Sequence, residues 1–395
     1  MLAGLWFGYF GFGLVAFSVA PLIKPMSEDF HLSRAAMGSV LGAWPLFYVA
    51  AAIPAGVLVD RFGLRRSLAA GIFLIAVSGL LRAVAVDYTT LFIAVGVFGL
   101  GGPFVSVGAP KLVNTWFSEN ERGLAMGIYM TGPGVGSIVT LATANSVLMP
   151  LLDSSWRLTM GAYAAVALLG GIVWLLLARE PGEARGTPQG SAATVASVLK
   201  AFPFLLRIGA LQIILLIGFG SFLYSHGFSN WLPEILRSGG RSSAQAGFWA
   251  TLPTAVGIVA SLTIPRLATP ARRIPILASL FMAGAVGPLL VSTNADAPLA
   301  LGLILLGTRV AVIPIALLLL MDTPLVGPHN MGAASGLYFT FGQMGGVLGP
   351  LIMGVLADLT GGFASGLVML AGLSIILLPL TLSLGVAKRK AAAAV

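Results

Sequence analysis

The feature that most restricts the fold of this chain is a series of apolar stretches, each about as long as a lipid bilayer is thick. A bilayer core about 30 Å thick needs roughly 20 apolar residues per spanning helix. The chain is 57% hydrophobic and 9% charged, whereas a soluble domain has about 25% charged residues. We therefore predict an all-α integral membrane protein with twelve spans, named span 1 to span 12 in chain order. They are residues 3–23, 35–59, 67–86, 91–113, 123–150, 157–178, 206–236, 244–267, 274–292, 298–320, 332–356 and 362–386.

The basic residues predict how these spans are oriented. Fifteen lysines and arginines fall on one side and six on the other, with Arg309 inside span 10. The first side has Arg61, Arg65, Arg66, Lys111, Arg122, Arg179, Arg185, Lys200, Arg207, Arg266, Arg272, Arg273, Lys388, Arg389 and Lys390; the second has Lys24, Arg34, Arg82, Arg157, Arg237 and Arg241. The positive-inside rule makes the first side cytoplasmic. We therefore expect both termini in the cytoplasm and a bacterial inner (plasma) membrane location. The net charge of +9 then reflects topology and not nucleic-acid binding.

An internal repeat divides the chain into two halves. The polar stretch "REPGEARGTPQGSAAT" after span 6 has the composition of a linker. "GLAMGIY" at the start of span 5 is similar to "GAASGLY" at the start of span 11, 209 positions later. We predict an N-terminal six-helix bundle at 1–178, a cytoplasmic linker at 179–205 and a C-terminal six-helix bundle at 206–395. Repeated six-span halves are typical of secondary transporters, whose binding site lies between the repeats.

The segment "GVLVDRFGLRR" at residues 56–66 resembles the signature of the major facilitator superfamily between spans 2 and 3. "WFSENERGLAMGI" at residues 116–128 is also similar to that family's segment before span 5. Weaker matches at "LLRAVA", "WLPEIL" and "GGVLGPLIMGVLADLTGGF" resemble the branch with cyanate and nitroimidazole transporters, and related organic-anion and monocarboxylate branches remain open. The resemblance implies two pseudo-symmetric six-helix bundles that work by alternating access.

The same resemblance implies a gate on the cytoplasmic side. Asp60 is expected against the first turn of span 11, near Gly332, where a carboxylate would satisfy free amides. The nearby arginines are expected to pair with Glu119, Glu121 or lipid phosphate. The gating residues predicted in this way are Asp60, Arg61, Gly63, Arg65, Arg66 and Arg122.

Arg309 is a charged residue near the middle of span 10, where the bilayer core disfavours a charge. It is 11 residues past Pro298 and 13 before Asp322, roughly 16–20 Å from either end at 1.5 Å per residue. Placing a charge at that depth costs at least ~2.5 kcal/mol. No Asp or Glu lies in the interior of a predicted span, so we predict that Arg309 binds an anionic substrate. The alternative is a structural arginine held by helix carbonyls.

Further residues are candidates for the substrate site beside Arg309. Arg82 in span 3 is either a second anion contact or a side chain that snorkels to the interface. His226 in span 7 either titrates to couple transport to protons or packs as a neutral side chain. The resemblance implies that spans 1, 2, 4, 5, 7, 8, 10 and 11 line the cavity. Candidate lining residues on those spans are Tyr9, Phe12, Trp44, Tyr48, Ser137, Tyr224, Thr254, Tyr338 and Gln343.

These observations predict a secondary active or facilitative transporter of a small organic or inorganic anion. The alternatives are an efflux pump for amphipathic drugs or metabolites, and a non-transporting membrane sensor. The chain has no cysteine and three histidines in separate segments, so we expect no metal site. We also expect no cofactor, no enzymatic activity, a monomeric state, and membrane lipid as the surrounding partner.

Overall fold

The computed structural model describes residues 1–179, 201–323 and 326–393, and its helices confirm the twelve predicted spans. Most bounds lie within a few residues of those predicted. Spans 1 to 12 are Leu2–Phe30, Arg34–Phe62, Leu64–Ala83, Tyr88–Trp116, Glu119–Leu151, Trp156–Leu177, Gly209–Ser238, Ser243–Leu267, Arg273–Ser292, Asp296–Met321, Asn330–Thr360 and Ala364–Gly385. The helix of span 11 begins at Gly327 and that of span 12 continues to Ala393. Most of the predicted linker, from 180 to 200, lies outside the described residues.

Three of the spans are not continuous α-helices. Span 1 passes through a 3₁₀ turn at Ala20–Leu22, and span 5 contains a π-helical turn at Ala144–Leu148. Span 10 is α-helical over Asp296–Thr308 and Val312–Met321, with a 3₁₀ turn at Arg309–Ala311 between them. Such interruptions are frequent at functional positions. In span 10 the interruption begins at the buried arginine.

Glycines let corresponding helices of the two halves pack in the same way. In the first half, a side chain on Gly136 of span 5 would overlap the carbonyl oxygen of Phe10 in span 1. In the second half, Gly345 of span 11 stands in the same relation to Phe219 of span 7. Each member of this second pair lies 209 positions after its equivalent, which is the offset of the sequence repeat. The duplication is therefore visible as a packing contact as well as a motif.

The contact between the halves repeats with the same offset. Gly38 of span 2 packs against the carbonyl oxygen of Pro350 in span 11, and Gly247 of span 8 packs against that of Leu141 in span 5. Both residues of the second pair are the repeat equivalents of residues in the first. Spans 2 and 11, and spans 8 and 5, are thus related by an approximate two-fold axis between the halves.

The halves separate from one end of the bundle to the other. We call the end with the loops at 61–66, 117–122 and 268–273 the basic face, and the other end the opposite face. An added methyl on Gly134 of span 5 would lie 2.7 Å from Ile258, and one on Gly127 would lie 3.8 Å from Leu262. At Gly123 it would meet nothing within 4 Å among the described residues. Spans 5 and 8 therefore diverge toward the basic face.

Candidate functional site

A cavity of about 320 Å³ lies between the two halves. Its walls come from spans 1, 5, 7, 8 and 10, which are five of the eight spans that the family resemblance implied. Apolar side chains such as Phe17, Leu141, Phe228 and Ile258 form much of the wall. Within the described part of the chain, Arg309 is the charged residue of this lining. A volume of this size suits a small molecule, since ligand pockets begin at about 300 Å³.

Arg309 is buried, with 8% of its surface exposed, at the first residue of the 3₁₀ turn in span 10. Its guanidinium carbon lies 3.6 Å from the centre of the Tyr224 ring, in a cation–π contact. The Tyr224 hydroxyl donates a hydrogen bond to the carbonyl oxygen of Gly284 in span 9, at 2.8 Å. Tyr224 thus holds the guanidinium against the wall, and the two side chains face the same cavity.

One nitrogen of this guanidinium has protein acceptors. Nη1 donates to Ser374 Oγ at 3.0 Å and makes a longer contact with the carbonyl oxygen of Leu280 at 3.5 Å. Gly284 makes room for Nη1, because any side chain there would overlap it. In the described part of the chain, no carboxylate forms an ion pair with Arg309, and Nε and Nη2 have no hydrogen-bond acceptor. The alternative of a structural arginine held by helix carbonyls therefore explains the contacts of one of the three guanidinium nitrogens, Nη1.

Arg82 occupies a different place. Its side chain is 1% exposed, and Nη1 donates to the carbonyl oxygen of Val15 at 2.6 Å and to Ser18 Oγ at 3.1 Å. The guanidinium also lies 5.6 Å from the Phe98 ring centre. It joins span 3 to span 1 and is absent from the lining of the cavity. The structure does not bring Arg82 together with Arg309, and the alternative that it snorkels to the interface is wrong.

His226 lies where the halves meet. Its ring stacks on Trp44 of span 2, with ring centres 5.1 Å apart, and on Phe222 of its own helix at 5.8 Å. Nδ1 of His226 and Oε1 of Gln343 are both buried without a hydrogen-bond partner in the described residues. Both atoms lie beside Gly346 of span 11. The structure shows the packing role of His226, and its role in proton coupling stays a prediction.

The remaining lining candidates fall into three groups. Tyr224, Ser137 and Thr254 line the cavity of Arg309. Tyr48 donates to or accepts from Ser106 at 2.8 Å and lines a second cavity of about 240 Å³ between spans 2, 4 and 11. The others pack between helices: Tyr9, whose hydroxyl donates to the Val105 carbonyl oxygen at 3.1 Å; Phe12, against Phe98; and Tyr338, against Phe222.

The predicted gate on the basic face is not closed. Asp60 forms an ion pair with Lys111 of span 4, and its carboxylate is half-exposed. The expectation that Asp60 contacts span 11 near Gly332 is wrong for this conformation. An added methyl on Gly332 would meet nothing within 4 Å among the described residues. Asp60 therefore makes its contact within its own half in this conformation, in which spans 5 and 8 diverge toward the same face.

The other gate residues have local partners. Gly63 ends span 2 with a φ of 80°, a conformation that favours glycine. Arg65 donates to the carbonyl oxygen of Leu175 at 3.1 Å, and Arg122 donates to those of Phe117 and Asn114 at 3.2 and 3.1 Å. Glu121 forms a capping box with Ser118 at the start of span 5, so the expected pairing of Glu121 with the arginines is wrong. Arg61 and Arg66 are exposed on the basic face.

The closed contact lies on the opposite face, and sequence reasoning missed it. Asp358, near the end of span 11, accepts hydrogen bonds from the backbone amides of Arg34 at 3.1 Å and Ala35 at 2.8 Å. These amides are in the first turn of span 2, where helix amides have no intrahelical acceptor. Arg34 returns a hydrogen bond to the carbonyl oxygen of Ala357 at 3.0 Å. The signal was present, because "GVLADLTG" at 354–361 repeats the pattern of "GVLVDRFG" at 56–63.

Comparison with known proteins agrees with this architecture. The family model described as Major Facilitator Superfamily matches residues 5–350 of the chain. The D-galactonate transporter of Escherichia coli is 26% identical over 89% of this chain and 87% of its own length. The 2-nitroimidazole transporter of Escherichia coli is 27% identical over 91% of this chain and 88% of its own length.

A solved structure shows the same fold. The crystal structure of a mutant of the nucleoside transporter NupG superimposes with a TM-score of 0.80, covering 97% of this chain and 99% of that one. At 14% identity, the likeness concerns the arrangement of the helices and not the substrate.

Proposed function

The chain belongs to the major facilitator superfamily, and from that premise we propose that it transports a small anion by alternating access between its two halves. The observation that carries the proposal is the charge of the cavity. Arg309 lines it, and no carboxylate does so among the described residues. An unpaired guanidinium with two nitrogens lacking acceptors attracts an anion and repels a cation, and its planar fork suits a carboxylate.

The relatives support an anion without deciding which one. The D-galactonate transporter is named for a carboxylate. The 2-nitroimidazole transporter is named for a different kind of molecule, so membership of this group alone does not specify charge. Arg309 in the cavity lining is therefore the feature that favours an anion. Transport is the activity of the family, and no enzymatic step is part of the proposal.

The orientation follows from the loops. We take the basic face as cytoplasmic, since it carries most of the lysines and arginines. The protein then lies in a bacterial plasma membrane with both termini in the cytoplasm, as a monomer, with Arg61 and Arg66 near lipid phosphate. The contacts of Asp358 close the external side, while the halves diverge toward the cytoplasm. The proposed state is inward-facing.

The two aspartates of the "GVLxD" segments then serve opposite faces. Asp358 caps span 2 while the external side is closed. In the outward-facing state, Asp60 would leave Lys111 and cap the first turn of span 11. Each carboxylate would stabilise one state through the free amides and positive end of a helix in the other half. Arg65, Gly63 and Arg122 would hold the loops that position Asp60.

The test of the substrate charge is a thermal-shift screen of small carboxylates and inorganic anions on the purified protein. We expect at least one anion to stabilise the wild type and Arg241→Gln, which removes a charge at the external rim. The same anion should have at least tenfold lower affinity for Arg309→Gln. Arg309→Lys keeps a charge at the site and provides a folded reference if the glutamine variant is unstable.

Equal stabilisation of the wild type and Arg309→Gln by every anion would overturn the anion proposal. Stabilisation of both by amphipathic cations would indicate the efflux pump. Binding of an anion without flux in proteoliposomes would indicate a sensor and not a transporter.

A further inference from the structure

Four residues with hydroxyl groups line the cavity of Arg309, and their hydroxyls have no protein partner in the described part of the chain. Ser221, Ser225 and Ser229 lie four residues apart on span 7, and Thr254 lies on span 8. Residues at this spacing share one helix face, about 6 Å apart along the axis. Among the described residues, none of the four side chains forms a hydrogen bond, and Ser221 Oγ is fully buried with its residue 5% exposed.

Other hydroxyls of spans 5 and 8 are already bonded within their own helices. Ser137 donates to the carbonyl oxygen of Gly134 at 2.9 Å, and Ser261 donates to that of Ile258 at 2.9 Å. Thr251, one turn before Thr254, donates to the Phe248 carbonyl oxygen at 2.7 Å. This return to the helix's own backbone is how serine and threonine are satisfied inside apolar surroundings. The hydroxyls of Ser225, Ser229 and Thr254 are therefore available to a polar ligand, and that of Ser221 is enclosed in the cavity wall without a partner.

The charge of the lining limits the ligand further. One guanidinium neutralises one carboxylate, and Arg309 is the charged residue of the described lining. A second carboxylate on the same molecule would have no cationic partner in the described lining, which includes apolar side chains such as Phe228, Leu232 and Ile258. Burying an unpaired charge against such side chains is costly, whereas a hydroxyl there needs one hydrogen-bond partner.

We infer that the substrate is a hydroxylated monocarboxylate, with its carboxylate on Arg309 and its hydroxyls on the serine face of span 7 and on Thr254. The inference rests on the proposed function, since it places the anion on Arg309. Ser221 is the specificity-determining residue, because its buried hydroxyl has no partner without the substrate. A substrate hydroxyl that satisfies it is favoured over a methylene in the same place.

The test measures binding of four probes to the purified full-length protein by isothermal titration calorimetry: gluconate, hexanoate, glucarate and sorbitol. Gluconate has one carboxylate and five hydroxyls, hexanoate lacks the hydroxyls, glucarate has a second carboxylate, and sorbitol has no charge. We expect gluconate to bind at least tenfold more tightly than the other three. Ser221→Ala should weaken gluconate about fivefold and leave hexanoate unchanged. Ser292→Ala, at a serine outside the cavity lining whose hydroxyl is bonded to its own helix, should change gluconate binding less than twofold.

The outcomes separate this inference from the proposed function. Equal affinities for gluconate and hexanoate, both lost in Arg309→Gln, would overturn the role of the hydroxyls and leave the anion proposal standing. Tighter binding of glucarate than of gluconate would overturn the single charge. Gluconate binding that survives Arg309→Gln would contradict the proposed function itself. Binding of none of the four probes would overturn the inference.

Discussion

At the scale of single residues, Arg309 is tolerated because its surroundings replace part of its hydration. Inserting an arginine at mid-membrane depth costs at least ~2.5 kcal/mol. A desolvated cation–π contact of the kind made with Tyr224 contributes about 2 kcal/mol or more. Ser374 and the Leu280 carbonyl oxygen solvate Nη1. Because these contacts offset part of the free-energy cost of burying the guanidinium, a ligand that binds Nε and Nη2 does not have to offset all of it.

Gly284 is the residue that makes this arrangement possible, and Gly284→Ala tests it. The added methyl would overlap Nη1 of Arg309, so the guanidinium must move from its partners. We expect a destabilisation of about 1–3 kcal/mol, typical of overpacking, with a lower melting temperature and weaker anion binding. Gly372→Ala is the matched control, because its methyl would meet nothing within 4 Å among the described residues. A Gly284→Ala protein that melts and binds like the control would contradict the packing argument.

At the scale of elements, spans 2 and 11 together close the opposite face. The parts of these two helices that are nearest the opposite face are in close contact, since an added methyl on Gly42 would lie 2.6 Å from the carbonyl oxygen of Val347. Asp358 completes the contact by capping span 2. Glycine permits the close approach of the backbones, and the carboxylate satisfies amides that would otherwise be free. Closure of this face is therefore a property of the two helices together.

The variant Asp358→Asn tests this closure by accessibility. Asparagine loses the charge that favours the helix start and keeps one acceptor oxygen, so we expect the opposite face to open more often. The reporter is Ser225→Cys, a cavity position in a chain without native cysteines. Labelling by an impermeant maleimide in intact cells should rise at least threefold. Asp296→Asn, which affects an ion pair within one half, is the control and should leave the labelling rate unchanged. Equal rates in the two variants would reject Asp358 as a closing residue.

At the scale of the whole molecule, the two halves contact each other through equivalent glycine positions that are related by the approximate two-fold axis. Gly38 with Pro350, and Gly247 with Leu141, are equivalent contacts on the two sides of that axis. On the basic face, Asp60 is paired within its own half. The two conformations of alternating access would then exchange interhelical caps at one face for those at the other. A ligand that binds both states equally does not change their populations.

Asp60→Asn tests the gate at this scale. Because the carboxylate is expected to stabilise the outward-facing state and lies outside the cavity lining, it should affect exchange between states more than binding. We expect at least tenfold slower flux in proteoliposomes, with anion affinity within twofold of the wild type. Glu119→Gln, on the same face at the start of span 5, is the control and should transport normally. Loss of affinity in proportion to flux would show that Asp60 acts on the site and not on the gate.

The sequence by itself determined the twelve spans, the internal repeat and the depth of Arg309. These follow from local composition, because a helix in lipid must satisfy its backbone within its own segment. The predicted span at 298–320 and the observed Asp296–Met321 differ by two residues or fewer at each end.

Only the tertiary structure decided what each charge contacts. Span composition does not specify that Arg82 bonds Val15 and Ser18, or that Asp60 pairs with Lys111 while Asp358 caps span 2. The two arrangements of the halves use the same helices, and the face that is closed depends on contacts between residues hundreds of positions apart. Those contacts arise only when the halves pack, so the repeated "GVLxD" pattern marks Asp358 without specifying its partners.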